Sequence, residues 1–452
     1  MKFTCKRDIL QKSIETVGKA ISTRTALPIM DNIFLELQEN TLTLRGNDLE
    51  MGIETSIPVE KVDSLGRILV KSKTITNIIS KLSCEMVNIC VNENNQLFIS
   101  SESVDFDILG TSTEEYPVFP SIESGSDISL SVGDLKSLIK YTIFSVSFDE
   151  TKQFLNGILI KSEGDSLFFV ATDGFRLALK KAPIPNQEVD FAAIVPFKAM
   201  NELYRIIQNE PSDTIVQITL SDNQVSFRMA HFCLITRIIQ GQFPDYKQVM
   251  PKESQFKFTV QRRVMLDASE RAAIISNESN NVVKYQFKDK TLTIQANAPN
   301  LGEFKEEIKV KEEGNSDQVR IAFNVRLVMD VLKTIEADDV CMTFNSELSP
   351  CVLTQVNSDA FTYILMPIRT SDYTASDNKD SVDVAPQEQT ETVAAASPPP
   401  VVEPPVVEPI VAPPVIEPIQ PPVTEPVPEP VEPPESEPFQ LPNNNASTPS
   451  LV

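Results

Sequence analysis

The chain has 452 residues, with 40 Lys+Arg against 63 Asp+Glu and a formal net charge of −23. One histidine and six cysteines (Cys5, Cys84, Cys90, Cys233, Cys341, Cys351) without CxxC spacing exclude the common zinc and dithiol motifs. No apolar run approaches the roughly 18 residues of a membrane span. With no secretory signal, a cytoplasmic protein with reduced thiols is expected.

Taken in order, the chain repeats itself. Lys2-Phe3-Thr4-Cys5 predicts a strand, and the run after it a helix to about Ala20. Asn32–Leu37 and Thr41–Arg45 read as paired strands, and Arg67-Ile68-Leu69-Val70 leads into a helix over Ser72–Leu82. The order restarts at Ile128-Ser129-Leu130-Ser131-Val132, with a helix over Gly133–Phe144 and strands over Gly157–Lys161 and Leu167–Ala171. Asp173-Gly174 is a turn signal, since glycine tolerates the positive backbone angles a tight turn needs. Ala193–Pro196 then precedes a helix over Phe197–Ile207, and Ile215–Leu220, Gln224–Met229 and Phe232–Ile239 close the unit. A third unit opens at Phe256-Lys257-Phe258-Thr259-Val260, with helices from Arg262 to about Ile275 and over Asn324–Ile335 around strands Val282–Phe287, Thr291–Ala296 and Val319–Phe323. The openings lie about 127 residues apart, the mark of a repeat architecture.

The expected fold is therefore α+β. It has three repeated domains (1–123, 124–252 and 253–370), each with about two helices packed on antiparallel sheets of about eight strands. Residues 371–452 differ, holding 14 Asp/Glu and one Lys and 20 of the 33 prolines, while all 13 glycines come earlier. Such proline density favours polyproline II or disorder, so a disordered acidic tail is expected there. At ~3.1 Å per residue its Pro-rich part could span about 175 Å.

Catalysis finds no footing. His231 is expected as a packed side chain in a strand, and Asp338-Asp339 and Glu306-Glu307 as solvated pairs. No phosphate-cradling loop or nucleophile elbow occurs. No catalytic residue, metal or cofactor is expected. What does recur is cationic charge on or near all six helices. It comprises Lys6, Arg7, Lys12 and Lys19; Lys71, Lys73 and Lys81; Lys136 and Lys140; Lys198 and Arg205; Arg262, Arg263 and Arg271; Arg326 and Lys333.

The threefold repeat, together with Met1-Lys2-Phe3-Thr4, Arg24-Thr25-Ala26-Leu27-Pro28-Ile29, Asn47-Asp48-Leu49-Glu50, Ala171–Leu177, Gly241-Gln242-Phe243-Pro244-Asp245-Tyr246 and Met366-Pro367-Ile368-Arg369, resembles the bacterial sliding clamps. These are the beta subunits of DNA polymerase III. The resemblance covers residues 1 to about 370. It implies a non-catalytic DNA replication processivity factor, a head-to-tail homodimer whose six clamp domains form a ring around double-stranded DNA, each chain supplying half. The polymerase III catalytic subunit, an ATP-driven clamp loader and other replication and repair proteins are the implied partners, without sequence-specific DNA reading and without a membrane. Lys12, Lys73, Lys136, Lys140, Lys198, Arg205, Arg263 and Arg271 would then face DNA. Arg24 and Lys198 match family positions near DNA, whereas Asp149 stands where some relatives carry a neutral polar residue.

Carried over residue by residue, the family's partner-peptide groove would use Leu155, Thr172, Gly174, Phe175, Arg176, Leu177, Pro244, Val249, Leu327, Leu348, Ile364, Leu365, Met366, Pro367 and Ile368. Arg176 at its rim would hold a backbone carbonyl or an acidic group. Phe175 stands where relatives often have His, and Gln248 where some have Arg. The dimer joint would set Phe106 and Ile108 against Ile274 and Ile275 of the partner, with Lys73 facing Glu303, Glu306 and Glu307. In the tail, Phe439-Gln440-Leu441-Pro442 resembles only the start of a clamp-binding peptide, so a solubilising spacer is the favoured reading. A clamp-like adaptor that binds partners without encircling DNA is the alternative function.

Overall fold

The computed structural model describes residues 1–22, 27–184, 191–251, 253–314, 318–356 and 358–370. Arg24, the tail over 371–452 and its Phe439–Pro442 segment lie outside the described residues. Those described belong to one compact unit.

Among the described residues six α-helices form: α1 (Arg7–Gly18), α2 (Ser72–Lys81), α3 (Val132–Lys140), α4 (Phe197–Ile207), α5 (Arg262–Ser276) and α6 (Val325–Thr334). Each is amphipathic. In α4 the buried residues Ala199, Met200, Leu203 and Ile207 fall on one stripe, leaving Lys198 and Arg205 on the exposed side. The helices pack in pairs within each repeat, α1 on α2, α3 on α4 and α5 on α6. The described strands number nine, eight and nine over 1–123, 124–252 and 253–370.

Helix α3 stops at Lys140 rather than reaching Phe144. Thr142 turns its hydroxyl back onto the carbonyls of Leu138 and Ile139, and Ile143–Ser145 forms a short 3-10 turn instead. His231 is also not a packed strand residue. It sits in the turn between strands Gln224–Met229 and Phe232–Arg237, 53% exposed, with Nε2 3.7 Å from Glu210.

The sheets do not respect the repeats. Every repeat contributes two half-sheets; the second repeat pairs both of its halves with neighbours, and the first and third pair one each. Strand Met51–Pro58 of the first pairs antiparallel with Phe232–Arg237 of the second, Phe232 opposite Thr55 through Thr236 opposite Met51. Strand Arg176–Pro183 of the second pairs in the same way with Ser358–Leu365 of the third, Arg176 opposite Leu365 through Lys180 opposite Phe361. These joints build an eight-stranded and a nine-stranded sheet, and leave a five-stranded sheet in the first repeat and a four-stranded sheet in the third. The two smaller sheets end on edge strands Asp105–Leu109 and Gly302–Lys309.

A second feature recurs three times. The chain leaving each repeat crosses back onto the strand that precedes the second helix, at Leu69 with Thr111, Ile194 with Ile239 and Ala322 with Ile368. The cores lie between helices and sheets. A smaller apolar cluster on the other face of the nine-stranded sheet gathers Leu159, Val170, Leu177, Leu179, Ile194, Tyr246 and Ile364.

Close backbone approach fixes α1 on its sheet. A Cβ added to Gly46 would stand 2.2 Å from the Val17 carbonyl oxygen. Gly46→Ala is therefore expected to lower stability by about 3 kcal/mol, the upper range for overpacking against a rigid neighbour. Urea unfolding measures it, and an unchanged midpoint would show that α1 lifts freely.

Candidate functional site

The strand Ser166–Thr172 ends at a corner built by short-range hydrogen bonds. Asp173 Oδ1 accepts the N–H groups of Phe175 at 2.9 Å and Arg176 at 3.0 Å. Thr172 Oγ1 accepts from Gly174 N and donates to the Arg176 carbonyl at 2.6 Å. Gly174 has φ +92°, in the region that disfavours a side chain. Phe175 is thrown outward, 69% exposed, while its carbonyl receives the N–H of Met366 at 2.9 Å. The corner thus ties the second repeat to the end of the third.

Arg176, expected to hold a backbone carbonyl or an acidic group at the groove rim, is paired with carboxylates of the chain itself. Its side chain is 10% exposed, with Nε donating to Asp173 Oδ2 at 3.0 Å and Nη1 to Asp330 Oδ2, on α6, at 2.6 Å. The guanidinium lies 5.5 Å from the Phe144 ring centroid. Burial would pull its pKa down, but Tyr363, Asp330 and Asp173 outweigh that and hold it above its ordinary value. Burial pushes the Tyr363 phenol far up, and its hydroxyl donates to the Leu327 carbonyl.

Beside this latch lies a cavity of about 180 Å³, lined by Leu155, Thr172, Gly174, Arg176, Leu177, Pro244, Asp245, Tyr246, Val249, Ile364 and Met366. Nine of the fifteen expected groove residues meet there. Leu365 does not belong to it. Alternation along Ser358–Leu365 turns Leu365 into the third repeat's core, fully buried, while its neighbours Ile364 and Met366 face the cavity. Phe175, Leu327, Leu348, Pro367 and Ile368 lie outside this lining. Leu348 is 47% exposed, and Leu327 packs partly on the third core. Asp245 and Tyr246 were missed. The signal was present, because Phe243-Pro244-Asp245-Tyr246 repeats the aromatic-Pro-x-aromatic order of Tyr116-Pro117-Val118-Phe119.

A larger cavity of about 480 Å³ adjoins across Pro244, Asp245 and Tyr246. Lys161 and Lys247 on its wall both pair with Glu163, each at 2.9 Å, and these lysines hold the Glu163 carboxyl below the usual range.

Most helix cations have partners. Lys140 pairs with Glu336 at 2.5 Å, Arg205 with Glu202 at 3.1 Å, Arg263 with Asp267 at 3.0 Å and Arg271 with Glu306 at 2.6 Å. Lys198 bonds Asp48. Lys136 instead caps the end of α4, donating to the carbonyls of Gln208 and Glu210, where the helix dipole favours a cation. Lys12 and Lys73 are exposed and have no carboxylate partner among the described residues. Between α1 and α4, Lys12, Lys19 and Arg205 share a cavity with Glu15, Glu202 and Glu210. This helix face has mixed sign.

At the expected joint, Phe106 and Ile108 are half-buried against the first core and Ile275 against the third, while Ile274 is 66% exposed. The acidic row is already satisfied within the chain, Glu306 by Arg271, Glu307 by Lys305 and Glu303 by Asn297. Among the described residues there is no group of side chains fit to hold a metal, and no helix is long and apolar enough to cross a membrane.

Residues 1–120, 129–245 and 247–369 match the families described as the N-terminal, central and C-terminal domains of the DNA polymerase III beta subunit. The chain is 32% identical over 379 residues to the beta sliding clamp of Staphylococcus epidermidis, covering 82% of this chain and 100% of that protein. Against the beta sliding clamp of Synechocystis sp. it is 31% identical over 391 residues, covering 82% and 99%. Among solved structures it is similar to the DNA polymerase sliding clamp of Bacillus subtilis, at 30% identity and TM-score 0.77 over 82% of this chain and 99% of that one. A sliding clamp from Pseudomonas aeruginosa bound to griselimycin matches at 30% identity and TM-score 0.77, over 82% and 100%.

Proposed function

The chain belongs to the DNA polymerase III beta subunit family, the bacterial beta sliding clamps, and we propose on that premise that two copies close head to tail into a ring around duplex DNA. Its work is that of the family, tethering the replicative polymerase for processive synthesis without catalysis of its own. The reading includes domain limits at 1–123, 124–252 and 253–370, a clamp loader that opens the ring, and repair proteins that share the groove.

One observation supports closure above all. The five-stranded sheet of the first repeat and the four-stranded sheet of the third are the two halves left over from the pairing rule that joins the repeats. Their free edges, Asp105–Leu109 and Gly302–Lys309, occupy the places that Phe232–Arg237 and Met51–Pro58 take at the first joint. Pairing them between two chains repeats the internal joint and removes both exposed edges. The helix cations suit enclosure. Being largely compensated, they offer few strong phosphate contacts, and weak salt-sensitive ones permit sliding.

Retention on DNA of defined topology tests this. After loading, the protein should stay on nicked circular DNA and be lost once the circle is cut. Equal retention on circle and linear DNA would favour the adaptor reading, in which partners bind without encirclement.

A further inference from the structure

Among the described residues that line the 180 Å³ cavity, Arg176 is the only cation, and it is bound by two carboxylates. Asp173 and Asp330 both bind Arg176. Asp173 is saturated, with Oδ1 taking two backbone N–H groups. Asp330 spends Oδ2 on the guanidinium and remains 44% exposed. A third carboxylate, Asp245, lines the cavity and has only neutral partners, Lys247 N at 3.2 Å and Gln248 Nε2 at 3.1 Å. The Lys247 ammonium turns away to Glu163, 2.9 Å from both of its oxygens. Arg176 is thus held by two carboxylates beside a largely apolar cavity, and the one carboxylate in the lining itself, Asp245, has no cation bound to it among the described residues.

We propose that Asp245 and Asp330 make this groove select partner peptides carrying Lys or Arg beside the apolar anchor, and disfavour acidic ones. The inference rests on the groove reading above. A glutamate placed at Arg176 would meet two carboxylates already bound there, whereas an ammonium can take the exposed oxygens of Asp330 or Asp245. Residues 371–452, with 14 Asp/Glu and one Lys, carry the sign that the cavity rejects.

The test uses the full chain and three fluorescein-labelled octapeptides read by anisotropy. Two share a central Leu-Phe pair, flanked on both sides by Lys or by Glu. The third has Lys flanks around Ala-Ala. The Lys-flanked Leu-Phe peptide should bind about tenfold more tightly than the Glu-flanked one at low salt, a gap that shrinks to about twofold near 0.5 M as screening grows. Because an acidic protein attracts any cation, the variants decide. Asp245→Asn alone, at an exposed side chain, should narrow the gap, and Asp245→Asn with Asp330→Asn should close it to within about twofold, while Leu-Phe still outbinds Ala-Ala. Equal binding of the two flanks by the unaltered chain, or a gap that survives in the double variant, overturns the proposal. If Leu-Phe binds no better than Ala-Ala, the groove reading fails and this one with it.

Discussion

Ile274→Asp should split the two-chain ring and abolish retention on circular DNA. Ile274 is 66% exposed in the single chain, so its replacement leaves the fold within about 0.5 kcal/mol of the original. In the closed ring it would lie at the joint, and an unpaired carboxylate there costs about 2 kcal/mol. Twofold closure counts each substitution twice, giving about 4 kcal/mol and a dimer weakened about a thousandfold. Sedimentation at micromolar concentration reads the mass, and circular dichroism confirms the fold. A dimer of unchanged strength would remove Ile274 from the joint.

The second large effect belongs to the groove. Arg176→Ala with Met366→Ala should weaken a Leu-Phe peptide about a hundredfold, near 3 kcal/mol, as expected when an anchoring contact and a wall of its pocket go together. The dimer should persist, since both residues sit at the joint between second and third repeats. Arg176→Ala has an added consequence, because it leaves Asp173 and Asp330 facing each other without their shared cation. With those carboxylates 20% and 44% exposed, solvent screens part of the penalty and about 1–2 kcal/mol of stability is lost. Met366→Ala alone, at a 38% exposed side chain, separates lost binding from lost stability. Full peptide affinity in the double variant would refute the assignment.

Period and order carried much of the fold into the sequence. Helix α4 spans Phe197–Ile207 as its apolar stripe predicts, and the strands Ile215–Leu220 and Gln224–Met229 begin and end where alternation does. The failures have one character. Helix α3 ends early through the hydroxyl of Thr142, and His231 lies in a two-residue turn without a glycine or asparagine to announce it. Both depend on local hydrogen bonding that hydropathy does not register. The site was legible as a corner and as a set of family positions, but not as electrostatics. Arg176 and Asp330 are 154 residues apart, and nothing in either segment says that they meet. Nor did the sequence explain why one corner of three opens a groove. In the first repeat Phe119 closes over Gly52, where a Cβ would lie 2.8 Å from its ring. The second repeat has Leu177 at the corresponding register, and its side chain lines the cavity.

The shared sheets also make the joints unequal. Each joint within the chain pairs five residues across strands that the backbone already holds together, so re-closure after a fluctuation is intramolecular, at an effective concentration of order millimolar. The proposed seam between chains has an edge strand that is also five residues long, Asp105–Leu109, and no tether. Dilution therefore weakens only the seam. A free ring at nanomolar concentration should come apart there and nowhere else, and any machine that opens it needs to find only two places.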